Sequence, residues 1–480
     1  MLFNSPAFVF VFLPLVLAIF FVVARKGNTL HCVLFLGLAS LAFYGYWNPK
    51  YLVLILASIG GNFAISQAIC RAAGRRRRLL LMAGIAFNLG LLGYFKYALF
   101  LVDNAALLFG RSWSIEAIVL PLAISFFTFQ QIAYLVDCWR GETSPPVLAR
   151  YLLFVAFFPQ LIAGPIVHHY EMLPQFEKLA DRPRLANLVA GMTIFFAGLF
   201  KKVILADGVS GYADRVFDAV AAGTMVSALE AWIGSFAFGF QIYFDFSGYS
   251  DMAIGLALMF GIRLPLNFAS PYKAASIIEF WRRWHMTLSR FLREHLYFPL
   301  GGNRGGWARQ MRNMMIVMLL GGLWHGAGWG FVLWGGLHGL YLALNHGWRH
   351  WAPGGLRLPP VVGRGLTMVA VIFAWVPFRA ETWPETKALW LAMLGGGSQA
   401  APVIADQGVA VLLLASLLAF VWTLPNTQDW SGFADTDGLP RWALWQKTAP
   451  WATFNAGLAL AALAVMVGQP ETQAFLYFQF

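Results

Sequence analysis

The chain has 480 residues, of which 59% are hydrophobic and only 12% charged, and its mean hydropathy is +0.64. A soluble globular protein of this length carries about twice that charged fraction, so the composition excludes a soluble enzyme and indicates a polytopic helical membrane protein. The formal net charge of +12 is explained by basic loops that orient the spans and by contact with anionic membrane lipid, and it does not call for nucleic acid.

Apolar runs long enough to cross a bilayer recur from one end of the chain to the other. A transmembrane helix needs roughly 17–25 predominantly apolar residues, and by this criterion we expect about a dozen crossings. We see no fixed-period repeat and no extended soluble segment, so we predict a single all-α membrane domain over residues 1–480. The clearest runs are 8–24, 51–68, 79–94, 409–424 and 452–467.

Basic residues predict the orientation of these runs. Arg25 and Lys26 follow the first run, and four arginines occupy 75–78, after the run 51–68, which we count as the third span. Because basic loops remain in the cytoplasm, we expect the amino terminus outside. The last run is followed only by Glu471 and an aromatic ending, so the carboxyl terminus is expected outside as well.

The sequence carries few of the common motifs of catalysis or metal binding. Cys32, Cys70 and Cys138 are far apart and show no CxxC or Cys/His pairing, so we expect neither a disulfide framework nor a metal site. A P-loop, a dinucleotide-binding glycine motif and HExxH are all missing. What remains for chemistry is a small set of polar side chains in apolar surroundings, where ionisable groups are expensive.

The first such stretch is SPYKAASIIEFWRRWHMTLSRFLREHLYFPLGGNRGG, residues 270–306. Its periodicity predicts one amphipathic helix over 277–296, with arginines on one side and His285 among apolar side chains such as Trp281 and Trp284 on the other. An interfacial helix with snorkelling arginines explains the helix. This interpretation does not assign a role to His285, which is either a buried hydrogen-bonding group that supports the structure or part of a site. The cationic face is suited to an anionic ligand such as a phosphate.

The second stretch is GGLWHGAGWGFVLWGGLHG, residues 321–339, which contains His325, His338 and eight glycines. Glycines let helices pack closely or let the backbone unwind beside a cavity. A histidine here can be a helix–helix hydrogen-bonding group. It can equally be a neutral imidazole acting as general base for a hydroxyl nucleophile, and the residues alone leave both interpretations open.

The third stretch is FQIYFDFSGYSDMAIGLALMFGIRLPLNF, residues 240–268. Asp245 and Asp251 lie in otherwise apolar surroundings, which is compatible with a proton relay, an ion site or a buried structural cluster. We favour the cluster, with a nearby arginine such as Arg263 as the cation.

EFWRRWHMTLSRFLREHLYFPLGG followed by GGLWHGAGWGFVLWGGLHG resembles the signature of the membrane-bound O-acyltransferase family. More narrowly it is similar to the bacterial branch of alginate O-acetyltransferase membrane subunits, whose relatives act in teichoic-acid D-alanylation and in peptidoglycan and cellulose acetylation. Residues 120–141 and 158–176 also match, so the resemblance covers most of the chain. This branch usually has arginine after GPIV, where this chain has His168.

The resemblance implies helices arranged around a central tunnel, with further amphipathic helices at the interface, in the inner membrane of a bacterium. It implies His325 as a catalytic residue in the tunnel with His285 nearby, and acetyl-CoA as a donor that enters from the cytoplasm, without a metal. On the donor side we expect Arg282 and Arg283, with Trp281 and Trp324.

The chain ends in FLYFQF, within a segment 470–480 that we expect outside the membrane. In the D-alanylation relatives a small separate protein ends in F-x-Y-x-x-F, and Phe475, Tyr477 and Phe480 match that pattern. The resemblance implies that Tyr477 accepts the acyl group from the donor with His325 as base. A periplasmic partner with a serine nucleophile would then pass it to alginate, cellulose, peptidoglycan or another exopolysaccharide. An aromatic interfacial anchor is the alternative.

Two other functions are compatible with many spans and intramembrane polar groups. A transporter or flippase predicts inverted repeats, which we do not see. A structural scaffold of a polysaccharide-export complex predicts that His325→Ala leaves activity intact.

Overall fold

The structure is a computed structural model, and it describes residues 1–181, 184–351, 358–397, 402–433, 446, 448–469 and 472–476. Every regular element in these ranges is helical, which confirms the all-α prediction. Tyr477 and Phe480, the predicted acceptor and the last motif residue, lie outside the described residues.

The α-helices of the described ranges run in chain order from α1 to α21. In the first half they are α1 Leu13–Arg25, α2 Thr29–Gly45, α3 Lys50–Arg71, α4 Gly74–Leu92, α5 Ala98–Phe109, α6 Ile124–Arg140, α7 Leu148–Ala156, α8 Phe158–Leu161, α9 His169–Phe176, α10 Leu185–Phe200 and α11 Asp207–Ala221. In the second half they are α12 Ala228–Met259, α13 Ile277–Arg283, α14 Met286–Leu292, α15 Trp307–His325, α16 Trp329–Trp351, α17 Pro360–Arg379, α18 Trp383–Leu391, α19 Gln407–Thr423, α20 Thr427–Trp430 and α21 Ala449–Gly468.

Shorter helical turns flank these helices. They are π-helical at Phe8–Phe12, Gly93–Tyr97, Lys201–Ala206, Arg293–Tyr297 and Ala392–Gly396, and 3₁₀-helical at Leu179–Asp181 and Pro271–Lys273.

Several helical segments have the length and hydropathy of membrane spans. Six described segments meet both criteria, and the shorter α2 and α19 are also apolar. The six are Phe8–Arg25, Lys50–Arg71, Gly74–Phe109, Leu185–Ala221, Pro360–Arg379 and Ala449–Gly468. The chain is therefore a polytopic membrane protein, while the total of about a dozen crossings stays a prediction.

The described chain divides into two compact units. Among the described residues, one contains those within Met1–Phe196, Tyr249–Leu266 and Met466–Ala474, and the other contains those within Ala197–Gly248 and Asn267–Val465, with Phe475 and Leu476. The prediction of one membrane domain over 1–480 stays a prediction.

The first unit has an aromatic core with polar pairs between its helices. The ring centres of Phe8 and Phe158 lie 5.8 and 5.5 Å from that of Phe43 and 6.3 Å from each other. Asn62 on α3 and Asn88 on α4 exchange side-chain hydrogen bonds of 3.1 and 2.6 Å. Reciprocal amide bonds satisfy both buried groups and fix how these two helices pack.

His168, which stands where the related branch has arginine, is the N-cap residue immediately before α9 in the first unit. Its backbone N–H donates to Glu171 Oε2 at 2.9 Å, an arrangement that caps the helix. The neighbouring His169 Nδ1 lies 3.2 Å from Asp137 Oδ2. His168 itself is 4% exposed, so its ring is part of the packed interior.

In the second unit, glycines bring α15 and α16 together as a tight hairpin. A Cβ on Gly322 would lie 2.2 Å from the Phe331 carbonyl oxygen, and one on Gly335 would lie 2.3 Å from the Met318 carbonyl oxygen. Real Cβ atoms do not approach so closely, so only glycine permits this separation. The close-packing role predicted for these glycines is confirmed.

Candidate active site

The predicted continuous helix over 277–296 is wrong, because the backbone breaks at Trp284 and His285. Trp284 is extended and His285 is left-handed, with φ 43° and ψ 53°. The chain therefore forms two short helices, α13 and α14, with the imidazole at the junction. A left-handed backbone is costly for a residue other than glycine and persists only where its surroundings hold it.

Asn267 holds this break with three hydrogen bonds. Its backbone carbonyl accepts from the Met286 N–H at 2.9 Å. Its side-chain oxygen accepts from Thr287 Oγ1 at 2.9 Å and lies 3.0 Å from His285 Nδ1. These bonds replace helical ones, which explains why an amphipathic pattern that favours a continuous helix is interrupted here.

The contact with Asn267 assigns the protonation of the His285 imidazole. An amide oxygen only accepts hydrogen bonds, so Nδ1 carries the proton and Nε2 is the basic nitrogen. The side chain is completely buried, which confirms that it points inward, and burial lowers the pKa of His285 to about 3. The ring is therefore neutral at physiological pH, and the Phe246 ring packs edge-on against it with a centroid distance of 4.7 Å.

His325 is the last residue of α15, immediately before the extended residue Gly326. Its side chain is 6% exposed. Aromatic rings surround it: Trp334 and Phe378 meet it edge-on, with centroid distances of 5.1 and 5.4 Å. The predicted break in this glycine-rich segment is confirmed, and it leaves an imidazole in an apolar, aromatic enclosure.

The structure brings the two predicted histidines together. The ring centroids of His285 and His325 are 6.4 Å apart. Trp324, one of the residues predicted on the donor side, contacts both rings at 6.2 and 5.0 Å. Two buried imidazoles within one aromatic enclosure suit proton transfer away from water.

The other predicted donor-side residues have different positions. Trp281 is half-buried, and its Nε1–H donates to His338 Nδ1 at 3.3 Å. Arg283 forms a salt bridge of 2.8 Å with Glu279, so its charge is partly balanced within its own helix. Arg282 is exposed, which leaves it as the better placed of the two arginines for an anionic ligand.

A second polar group in this unit was only partly foreseen. Asp245 Oδ1 accepts from Lys202 Nζ at 2.7 Å, and the same nitrogen lies 2.8 Å from Asp207 Oδ1. The buried-cluster prediction for Asp245 is confirmed, but its cation is Lys202 where the sequence suggested an arginine. The missed signal was a lysine inside a long apolar helical segment, which raises the same question as an intramembrane carboxylate.

The carboxyl-terminal segment is buried as far as the structure describes it. Phe475 is 1% exposed and Leu476 is 7% exposed. Leu476 donates its backbone N–H to Asp245 Oδ2 at 3.0 Å, and Lys202 Nζ lies 5.1 Å from the centre of the Phe475 ring. Leu476 belongs to the same hydrophobic cluster as Trp334 and Phe378, the rings that contact His325.

Potential metal-ligating side chains do not cluster in the part of the chain that the structure describes. Within those ranges, no three or more His, Cys, Asp or Glu side chains are grouped so that they could hold a metal ion.

Comparison with known proteins places these residues in a family. A model of the membrane-bound O-acyltransferase family matches residues 140–354, a range that includes His285, His325, Lys202 and Asp245. The peptidoglycan O-acetyltransferase of Helicobacter pylori is 44% identical over 424 residues, which cover 82% of this chain and 80% of that protein.

Two further relatives have lower sequence identity to the chain. The probable alginate O-acetylase AlgI of Azotobacter vinelandii is 40% identical over 430 residues, or 87% of this chain and 83% of that protein. The teichoic acid D-alanyltransferase of Streptococcus thermophilus is 27% identical over 241 residues, or 47% and 57%. The enzymes in this set favour catalysis over the transporter and scaffold alternatives. The chain belongs to the membrane-bound O-acyltransferase family and is an acyltransferase of the membrane.

Proposed function

We propose that this enzyme takes an acetyl group from cytoplasmic acetyl-CoA and delivers it, through Tyr477, to the outer face of a bacterial inner membrane for O-acetylation of a polysaccharide. The relatives named for peptidoglycan and alginate acetylation support the acceptor class. The observation that carries the route is the burial of Phe475 and Leu476, directly before Tyr477, in the interior of the unit that also contains His325.

In the proposed first step, the basic nitrogen of His325 takes the proton of the Tyr477 hydroxyl as its oxygen attacks the thioester carbonyl. The C–S bond breaks, an aryl ester forms, and the CoA sulfur takes the proton back from His325. A base so placed contributes about 10²–10⁴-fold to rate. Excluding water from the aromatic enclosure suppresses hydrolysis of the acyl group.

In the proposed second step, a serine hydroxyl of a periplasmic partner attacks the acetyl carbonyl, and the tyrosine leaves with a proton. A phenol has a pKa of about 10 and leaves more readily than a sugar alkoxide, so the aryl ester is a competent donor. The partner then passes the acetyl group to a polysaccharide hydroxyl. CoA thus stays in the cytoplasm while the acetyl group crosses.

The test is mass spectrometry of the carboxyl-terminal peptide after purified protein is incubated with acetyl-CoA. Acetyl on Tyr477 is expected in the wild type and not in His325→Ala or Tyr477→Phe. A wild-type tail that stays unmodified, in protein that still supports polysaccharide acetylation with its partner, contradicts the proposal and favours direct transfer.

A further inference from the structure

The last described residues of the chain are held by charged side chains in the interior of the second unit. We use the name tail clamp for Lys202, Asp207 and Asp245. Asp245 divides its two oxygens between Lys202 Nζ, at 2.7 Å, and the backbone N–H of Leu476, at 3.0 Å. The Phe475 ring lies over the same ammonium group, 5.1 Å from its nitrogen.

Charges buried this deeply need a reason. Lys202 is 2% exposed and Asp245 is 1% exposed. Apolar residues of similar volume often pack as stably as a buried ion pair, so stability alone is a weak explanation for the cluster. What apolar residues cannot supply is a strong acceptor for a backbone N–H and a cation beneath an aromatic ring. Both of those functions are directed at the carboxyl-terminal segment.

Two local features of the chain build the clamp. The π-helical turn Lys201–Ala206 widens the backbone, which brings Lys202 and Asp207, five positions apart, onto one side. Gly248, one turn after Asp245 on α12, allows α12 to approach the end of α10 and the turn that follows it, because a Cβ there would lie 2.7 Å from the Gly198 carbonyl oxygen and 3.2 Å from the Lys202 backbone nitrogen. Side chains on both elements thereby meet within hydrogen-bonding distance.

We propose that the tail clamp positions the carboxyl-terminal segment for acyl transfer, by fixing Phe475 and the backbone of Leu476 immediately before Tyr477. This rests on the proposed function of Tyr477 as acceptor. Lys202, Asp207 and Asp245 are positioning residues in this proposal and take no part in bond making. Holding a nucleophile in a defined place removes an entropic part of the barrier to reaction.

The first experiment measures tail docking without any acyl chemistry. Cys32, Cys70 and Cys138 are replaced by alanine, Leu476→Cys is introduced, and the rate of maleimide labelling is measured in detergent micelles. Asp245→Leu removes the acceptor and should raise the labelling rate about ten-fold or more, as expected for the loss of a hydrogen bond to a charged group. Asp245→Asn removes the same charge but keeps one of the two acceptor oxygens, so its labelling rate should lie between that of the parent and that of Asp245→Leu.

The Asn variant is the control for thiol reactivity, because removing a nearby negative charge alone also changes how readily a cysteine ionises. Asp251→Asn alters another buried carboxylate of α12 and should leave labelling unchanged. If Asp245→Leu labels at the parent rate, or if Asp245→Asn labels as fast as Asp245→Leu, the clamp is overturned.

The second experiment alters only the tail, so the helices stay intact. Leu476→Pro removes the N–H that Asp245 accepts, whereas Leu476→Ala keeps it. Acetylation of Tyr477 should slow at least about ten-fold in the proline variant and much less in the alanine variant. The KM for acetyl-CoA should be the same in both, since the donor is bound elsewhere. Equal rates in the two variants count against the clamp.

The two proposals fail in different ways. In one outcome, the labelling rate depends on whether residue 245 can accept the Leu476 hydrogen bond while Tyr477 is never acetylated. In that case the clamp stands as a docking device and the acyl-carrier function is wrong. If Tyr477 is acetylated equally in the parent and in Asp245→Leu, with unchanged labelling, the clamp is wrong and the acyl-carrier function stands.

Discussion

The imidazole centres of His285 and His325 lie 6.4 Å apart, on separate helical segments of one unit. Each stands at a break in the backbone, His285 between α13 and α14 and His325 at the end of α15. A backbone break frees a side chain from the constraints of a regular helix surface. The pair is therefore placed by irregular structure, as is common where a site has been built into a membrane domain.

The first prediction concerns His325 as a base. His325→Ala should lower the rate of CoA release from acetyl-CoA by about 10²–10⁴-fold, because a positioned general base contributes a factor of that size. The assay is colorimetric detection of the free thiol with purified enzyme. His350→Ala changes an exposed histidine of α16 and should retain full activity; similar losses in both variants would point to a general effect on folding.

The second prediction separates the imidazole of His285 from its backbone conformation. Asparagine tolerates the left-handed region and valine does not. His285→Asn should therefore be less destabilised than His285→Val, by about 1–2 kcal/mol in the free energy of unfolding. The measurement is denaturation in mixed micelles, and the activity of both variants is recorded alongside. Equal stability of the two variants contradicts the strained junction, while activity retained by the asparagine variant reduces His285 to a structural role.

The third prediction is the pH dependence of stability. Burial lowers the pKa of His285 from 6.5 to about 3, so below pH 6.5 the unfolded chain binds a proton that the folded chain excludes. The contribution is fully present above pH 6.5 and is lost as the pH falls towards 3. Wild type should lose about 2 kcal/mol more than His285→Asn between pH 7 and pH 5. Parallel pH profiles for the two proteins in the same denaturation assay contradict the expectation.

The fourth prediction tests the glycine-dependent hairpin that presents His325. A Cβ on Gly335 meets the Met318 carbonyl oxygen at 2.3 Å, whereas one on Gly336 meets Leu319 Cδ2 at 3.6 Å, an ordinary contact. Gly335→Ala should destabilise the protein by about 1–3 kcal/mol. Gly336→Ala should be neutral or slightly stabilising, because alanine has the higher helix propensity. The thermal midpoints of the two variants are compared in one detergent, and equal midpoints contradict this packing.

The sequence by itself determined that the chain lies in a membrane, that it is helical, and which segments carry the polar groups suited to chemistry. Composition and apolar run length depend on no tertiary partner, so they predict a membrane protein directly. The histidines at 285 and 325 stood out because a polar group in an apolar stretch is expensive wherever the chain folds. The glycine-rich stretch around His325 also predicted a break and close packing, and both are present.

Only the tertiary structure decided where the backbone of those segments breaks and which partners their buried polar groups bind. The periodicity of 277–296 favours one helix, but Asn267 supplies competing hydrogen bonds from outside that segment and divides it. Likewise the partner of Asp245 could not be read from its own helix, because it is Lys202 on another element, brought near by a π-helical turn and a glycine contact. Periodicity records which face of a helix is apolar, whereas the partner of a buried polar group depends on which elements pack together, and that is settled by the whole chain.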